Sequence, residues 1–208
     1  MTSVALYVEG GGDSEAGKAA LRQGFDELLA TQKNAARVRK MRWKTVLCGG
    51  RNATFDAFLN ATTKRTADVV VLVVDAEAPV AVTTPEGRVE HLATRDGWTF
   101  EGVDAGHVHL MTQCMEAWIV ADREKFEEFY GKGSRKNALP RRQVLDEEPK
   151  ANLYSALDAA TKDTQKGSYG KIKHASELLK RVRPGIVAAR CRSFQHLIQR
   201  LDAMIAEA

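Results

Sequence analysis

The chain has 208 residues, 44% of them hydrophobic, with five histidines, three cysteines and a formal net charge of +4. That is enough apolar material for a sizeable core, and the lack of an apolar run of about 18 residues or a signal-peptide pattern points to a cytoplasmic protein without a membrane span. Cys48, Cys114 and Cys191 are odd in number, widely spaced and free of any C-x-x-C pair, so the sequence supports neither a disulfide framework nor a zinc ribbon and the thiols are expected to be buried.

The charge is unevenly distributed. Residues 1–130 carry 15 Lys and Arg against 19 Asp and Glu, whereas residues 131–200 carry 16 against 6. An acidic front half beside a basic back half suits a metal-dependent enzyme acting on a polyanion, in which acids hold the cation and lysines draw in phosphates.

In chain order, Ser3 to Val8 reads as a short apolar strand. It runs into Glu9-Gly10-Gly11-Gly12 and then an amphipathic helix from Asp13 to about Thr31, with Asp13 or Ser14 as cap. Two functional readings attach to this turn. Gly12 to Lys18 has the G-x-x-x-x-G-K spacing of a phosphate-binding loop, which would make the chain a nucleotide-binding protein. Ala19, however, stands where a magnesium-binding hydroxyl belongs, and Glu9, Asp13 and Glu15 would repel phosphate oxygens. The other reading makes Glu9 the purpose of the turn, because ligands of open α/β sheets bind beyond the carboxyl ends of the strands.

Arg42 to Leu47 is expected as a strand and Arg51 to Lys64 as a helix, joined by Cys48-Gly49-Gly50. Arg51 follows that glycine pair as a candidate phosphate contact. Val69 to Val74 is an uninterrupted aliphatic run, the pattern of a strand buried on both faces of a parallel sheet. Its carboxyl end carries Asp75 and Glu77. The stretch from Ala78 to Ala105 reads as an irregular rim with a short helix near Val89–Arg95, offering Arg88, Arg95 and Trp98 as substrate contacts. His107 to Met111 alternates like an edge strand with His107 and His109 on a wet face. Glu116 opens a helix expected to continue through Tyr130.

Beyond Gly131 the composition becomes a basic linker, followed by helices expected at about Lys150–Lys162, Ile172–Val182 and Ser193–Ala206, with Pro184-Gly185 ending the second. The expected fold is therefore α/β, a mostly parallel sheet flanked by helices. Residues 1–130 would form the core, with 131–208 a basic linker and helical extension packed on it.

A strand ending in Glu9-Gly10, and a hydrophobic strand ending in Asp75-Ala76-Glu77, resemble the Toprim domain of topoisomerases, primases and OLD-type nucleases. Met115 to Asp122 and Lys171-Ile172-Lys173-His174 are similar to motifs of an uncharacterised Toprim-like family often encoded beside AAA-type ATPases in antiphage operons. The usual Asp-x-Asp is here Asp75-x-Glu77, which keeps the charge and moves it outward by one methylene. The resemblance implies a nuclease with two Mg²⁺ or Mn²⁺ ions, and hard oxygen donors without a thiolate agree with those metals. It implies Glu9, Asp75, Glu77 and Glu116 as metal ligands, with Glu9 also catalytic, and Asp122 as a weaker fifth acid. It further implies Lys173 as a catalytic lysine, Lys171 and Lys173 on the nucleic acid, and an AAA-type ATPase partner in antiphage defence. A non-catalytic Toprim-like binding module is the remaining alternative.

Overall fold

The computed structural model describes residues 2–207. Four strands form one parallel sheet: β1 (Ser3–Val8), β2 (Arg42–Leu47), β3 (Val69–Asp75) and β4 (Val108–Met111), in the order β2-β1-β3-β4. Among the described residues ten α-helices surround it. They are α1 (Glu15–Leu28), α2 (Ala30–Val38), α3 (Arg51–Thr63), α4 (Pro85–Asp96), α5 (Glu116–Ala121), α6 (Arg123–Tyr130), α7 (Lys150–Thr161), α8 (Lys171–Leu179), α9 (Pro184–Arg190) and α10 (Arg192–Glu207). The expected α/β class with a parallel sheet and helices behind it is what the chain adopts.

The aliphatic run of β3 explains the layering. Alternate side chains of a strand point to opposite faces, so Val71 and Val73 enter one apolar cluster while Val70, Leu72 and Val74 enter another. Val71 and Val73 on one face are 0% and 1% exposed and Leu72 and Val74 on the other are both 0%, as a strand buried on both faces requires. The second cluster is closed by Phe55 and Phe58 of α3, Leu92 of α4, and Trp98, whose ring stacks on Phe55 at 4.1 Å. In the first, Trp118 of α5 packs edge-on against Phe25 of α1 at 6.4 Å and Phe194 of α10 at 4.9 Å, and its indole N–H donates to Ser193 Oγ at 3.2 Å. Residues from β1, α1, α5, α8 and α10 thus share a single core. The helices after residue 131 close it.

Several local expectations are corrected. The rim after Glu77 contains a full helix, α4, because Thr84 Oγ accepts from the Gly87 N–H at 3.2 Å, Pro85 fits the first turn, and Gly97 ends the helix at φ +70°. Helix α2 has only Gln32 and Ala36 buried, too few apolar residues for a periodic signal. Pro184 starts α9 rather than ending α8, the first-turn role its missing N–H permits. The strand expected from His107 begins at Val108, and His109 is 2% exposed, so the face expected to be wet is buried.

The helix expected from Glu116 to Tyr130 is broken at Asp122, and that residue has a structural task. Its Oδ1 accepts from the Lys125 N–H at 3.3 Å, capping α6. Its carboxylate also takes the Arg183 backbone N–H at 3.0 Å, Nε at 2.7 Å and Nη2 at 2.8 Å. All of its acceptor positions face α6 and the start of α9, which leaves it no place among metal ligands. Asp122→Ala should therefore lower stability by about 2–3 kcal/mol, the loss of a cap plus charge-assisted bonds, or about 4–12 °C in the melting temperature of a chain this size. It should leave any metal-dependent stabilisation intact; a thermal melt with and without divalent metal checks both.

Candidate metal centre

Parallel pairing in step brings two distant acids together. Val8 pairs with Val73, and the Glu9 backbone N–H continues the ladder to the Val73 carbonyl at 3.0 Å. Glu9 and Asp75 consequently leave the sheet at one edge. Glu77 joins them by a backbone excursion into the left-handed region, at φ +64°, held by its N–H donating to the Gln113 carbonyl at 2.7 Å. A residue with a Cβ adopts that conformation only under constraint from its surroundings. The result is a carboxylate triad in which one oxygen from each of Glu9, Asp75 and Glu77 lies within 4.8 Å of the others. Adjacent ligands of octahedral magnesium stand about 3 Å apart and opposite ones about 4.2 Å, so the three acids suit a hard divalent cation once their side chains close by about 1–2 Å.

Each acid also has a basic partner. Arg51 Nη1 donates to Glu9 Oε2 at 3.0 Å and to the Asp75 carbonyl, while its Nε and Nη2 grip Asp96 at 2.9 and 2.7 Å and its guanidinium lies 5.0 Å over Trp98. Glu9 Oε2 additionally accepts the Asp75 backbone N–H at 3.1 Å. Asp75 Oδ1 takes the Met115 N–H at 2.8 Å and Oδ2 takes Lys171 Nζ at 3.0 Å. Glu77 pairs with Lys150, at the first turn of α7.

Glu116, fully buried at the start of α5, lies outside the triad. Its Oε1 accepts from the Tyr169 hydroxyl at 3.1 Å and stands 4.0 Å from Lys171 Nζ, while Oε2 has no partner among the described residues. Lys171 is thus shared between Asp75 and Glu116. Burial opposes the Lys171 charge, but Asp75 and Glu116 more than offset that and raise its pKa well above the ordinary lysine value. Burial pushes the Asp75 carboxyl up, Lys171 draws it back, and Glu116 and Glu9 push it further, leaving it at about 6.

Two expected roles change. Lys173 lies two residues from Lys171, on a different side of the helix; it is exposed and its Nζ donates to the Lys166 carbonyl at 3.2 Å. The lysine at the acids is Lys171. Arg51, expected on a phosphate, spends its donors on Glu9, Asp75 and Asp96, so it positions a carboxylate instead. Trp98 and Arg95 are also committed, the first to the core and the second to an ion pair with Asp96. Asp96 and Lys150 were not among the expected residues, and Asp96 ending a helix or Lys150 beginning one carries no sequence sign of these contacts.

Beside the triad a cavity of about 240 Å³ is bounded by Glu9, Gly10, Gly11, Gly49 and Lys171. Its floor requires glycine. Gly11 has φ +89°, and a Cβ there would meet the Lys18 backbone at 2.8 Å; a Cβ on Gly49 would meet the Gly12 carbonyl at 2.7 Å. Lys18 pairs with Glu15 at 3.1 Å, and a Cβ on Gly17 would strike the Gly11 carbonyl at 2.4 Å. Gly17 and Lys18 therefore serve the packing of the glycine turn on α1.

The raised Asp75 carboxyl has a measurable consequence. Between the ordinary value of 3.8 and about 6 the folded protein keeps a proton that the unfolded chain has released. Metal-free stability should then fall as pH rises through that window, by up to about 1.4 kcal/mol per unit, and level off above it. In Asp75→Asn the slope should be flattened. Melting curves in chelator between pH 4 and 8 compare the two proteins.

The model of one family, described as a domain of unknown function (DUF4276), matches residues 8–202. No curated protein and no solved structure matches the chain.

Proposed function

We propose, for a chain that belongs to the DUF4276 family, that the acidic edge of the sheet is the active centre of a magnesium- or manganese-dependent nuclease. The observation that carries this reading is the convergence of Glu9, Asp75 and Glu77 within 4.8 Å beside a glycine-floored cavity containing a lysine. The resemblance of the same residues to Toprim-type nucleases supports it, as does the excess of lysine and arginine after residue 131.

Glu9, Asp75 and Glu77 would hold the cation, which when bound supplies a water of lowered pKa and neutralises charge on a phosphoryl oxygen. The chain's own residues do the remaining work. Arg51, anchored by Asp96, fixes Glu9 in place. The side-chain-free turn Gly10 to Gly12 lets a phosphodiester approach the backbone closely. Lys171 Nζ donates to Asp75 Oδ2 at 3.0 Å, and with a cation held by that carboxylate its ammonium would be placed to donate to a phosphoryl oxygen as negative charge grows there. Water forms the new P–O bond and gives up a proton to solvent, the ester P–O bond breaks, and the departing alkoxide takes a proton from solvent. Glu116, with its unpartnered oxygen, keeps Lys171 charged and could hold a second ion. No helix of the structure is long and apolar enough to cross a membrane. Work with an AAA-type ATPase in antiphage defence is the part of the proposal that rests on the resemblance alone.

Manganese or magnesium at about 1 mM should raise the melting temperature by several degrees through preferential binding to the folded state. Glu9→Gln should abolish that rise and also the cleavage of DNA or RNA by the protein with its partner, while metal-free stability is unchanged or improved. Cleavage at parental rates by Glu9→Gln and Asp75→Asn would refute the nuclease reading. A metal-dependent rise without any cleavage, with the partner present, would leave a metal-binding module.

A further inference from the structure

On the far side of β4 from the triad lies a second cavity, of about 290 Å³, between the free edge of that strand, the loop after Glu77 and the start of α10. It shares Arg88, His109 and His196 with an adjoining cleft of about 590 Å³. Arg88, at 8% exposure, is a buried cation that makes no ion pair among the described residues. Its Nε donates to the Val108 carbonyl at 2.7 Å and its Nη1 to the Thr83 carbonyl at 2.8 Å, while Nη2 has no partner among the described residues. The charge of Glu86 offsets part of the cost of burying this guanidinium, and an anion in the cavity would offset more.

His109 lines the same cavity. Its Nε2 stands 3.1 Å from the Gly106 carbonyl, which assigns the ring proton to that nitrogen. Nδ1 is then a bare acceptor, and it is fully buried with no partner. Burial and the neighbouring Arg88 hold the ring neutral, its pKa down at about 3. The cavity wall therefore carries one guanidinium nitrogen, Arg88 Nη2, that meets no acceptor among the described residues, beside a neutral imidazole. Arg192, exposed at the first turn of α10, and the half-buried His196 complete the wall. The acids there are committed: Asp146 accepts the backbone N–H groups of Arg192 and Ser193 at 2.6 and 3.0 Å, and Glu147 pairs with Arg142 at 3.3 Å.

We propose that this cavity binds a small phosphate monoester, held by Arg88 and Arg192 of its wall. Two arginines arriving from α4 and α10 suit the diverging oxygens of a phosphate better than the single plane of a carboxylate. The volume exceeds that of a bare phosphate ion, leaving space for a sugar-sized group. The same cavity touches Thr112, next to the Gln113 that anchors Glu77 and Lys150, and Val80, which lies three residues past Glu77. A ligand there would brace the segments that carry the third carboxylate.

The test is titration of the full chain in chelator with inorganic phosphate and with adenosine monophosphate, at constant ionic strength against chloride and citrate, read by melting temperature and calorimetry. Phosphate or the nucleotide should stabilise the protein where citrate does not, and Arg192→Ala should weaken binding at least about tenfold. Arg88→Lys, which keeps the charge but loses the fork, should do the same. Tighter binding of the nucleotide identifies a mononucleotide as the ligand; equal affinity identifies free phosphate. The proposal is overturned if neither probe stabilises the protein, if Arg192→Ala binds like the parent, or if binding requires manganese and disappears in Glu9→Gln. Chelator keeps this measurement separate from the metal centre, so its failure says nothing against the nuclease.

Discussion

Like charges crowded at the end of a parallel sheet are the constraint on which the rest of this molecule depends. Pairing β1 with β3 in step places Glu9 and Asp75 side by side whether or not the chain benefits electrostatically, and the left-handed turn at Glu77 adds a third negative charge. In a partly buried setting three such charges repel strongly. The metal-free fold is stable because a basic side chain sits on each: Arg51 on Glu9, Lys171 on Asp75, Lys150 on Glu77.

Those bases come from three separate parts of the chain, and their placement follows from the core. Arg51 is the first residue of α3 and reaches the site because α3 packs on the sheet. Lys150 and Lys171 begin α7 and α8, whose apolar residues enter the same cluster as β1, α1 and Trp118. The hydrophobic interior thus does electrostatic work at a distance: packing Phe194 and Phe25 against Trp118 fixes the helices that carry two ammonium groups to the acids. The basic bias after residue 131 reflects this internal role as well as any external polyanion.

Much of the sheet was legible in the sequence because its signals are local. The six aliphatic residues of β3, the glycine turn after Glu9 and the cap-and-proline pattern before α4 each state their conformation within a few residues, although the last was read only in part. The triad was legible because parallel strands deliver their ends to one edge. What stayed hidden depended on side-chain reach. Nothing in the sequence distinguishes Lys171 from Lys173 as the residue at the acids; the helical rotation between them decides it, and that is set by how His174 and Ala175 turn into the core. Arg51 looked like a free phosphate ligand because Asp96, its main partner, lies 45 positions away. Asp122 looked like a ligand until the break between α5 and α6 turned it toward Arg183.

The late position of Lys150 and Lys171 has a consequence during synthesis. A ribosome releases Glu9, Asp75 and Glu77 long before either lysine, and well before α10 brings Phe194 against Trp118. A nascent chain that has emerged only through α6 holds the acids without two of their three intramolecular counter-ions, and its largest aromatic side chain lacks part of its cover. Until then Arg51 alone of the three bases is at hand, and the last helices to appear complete both the charge balance and the interior.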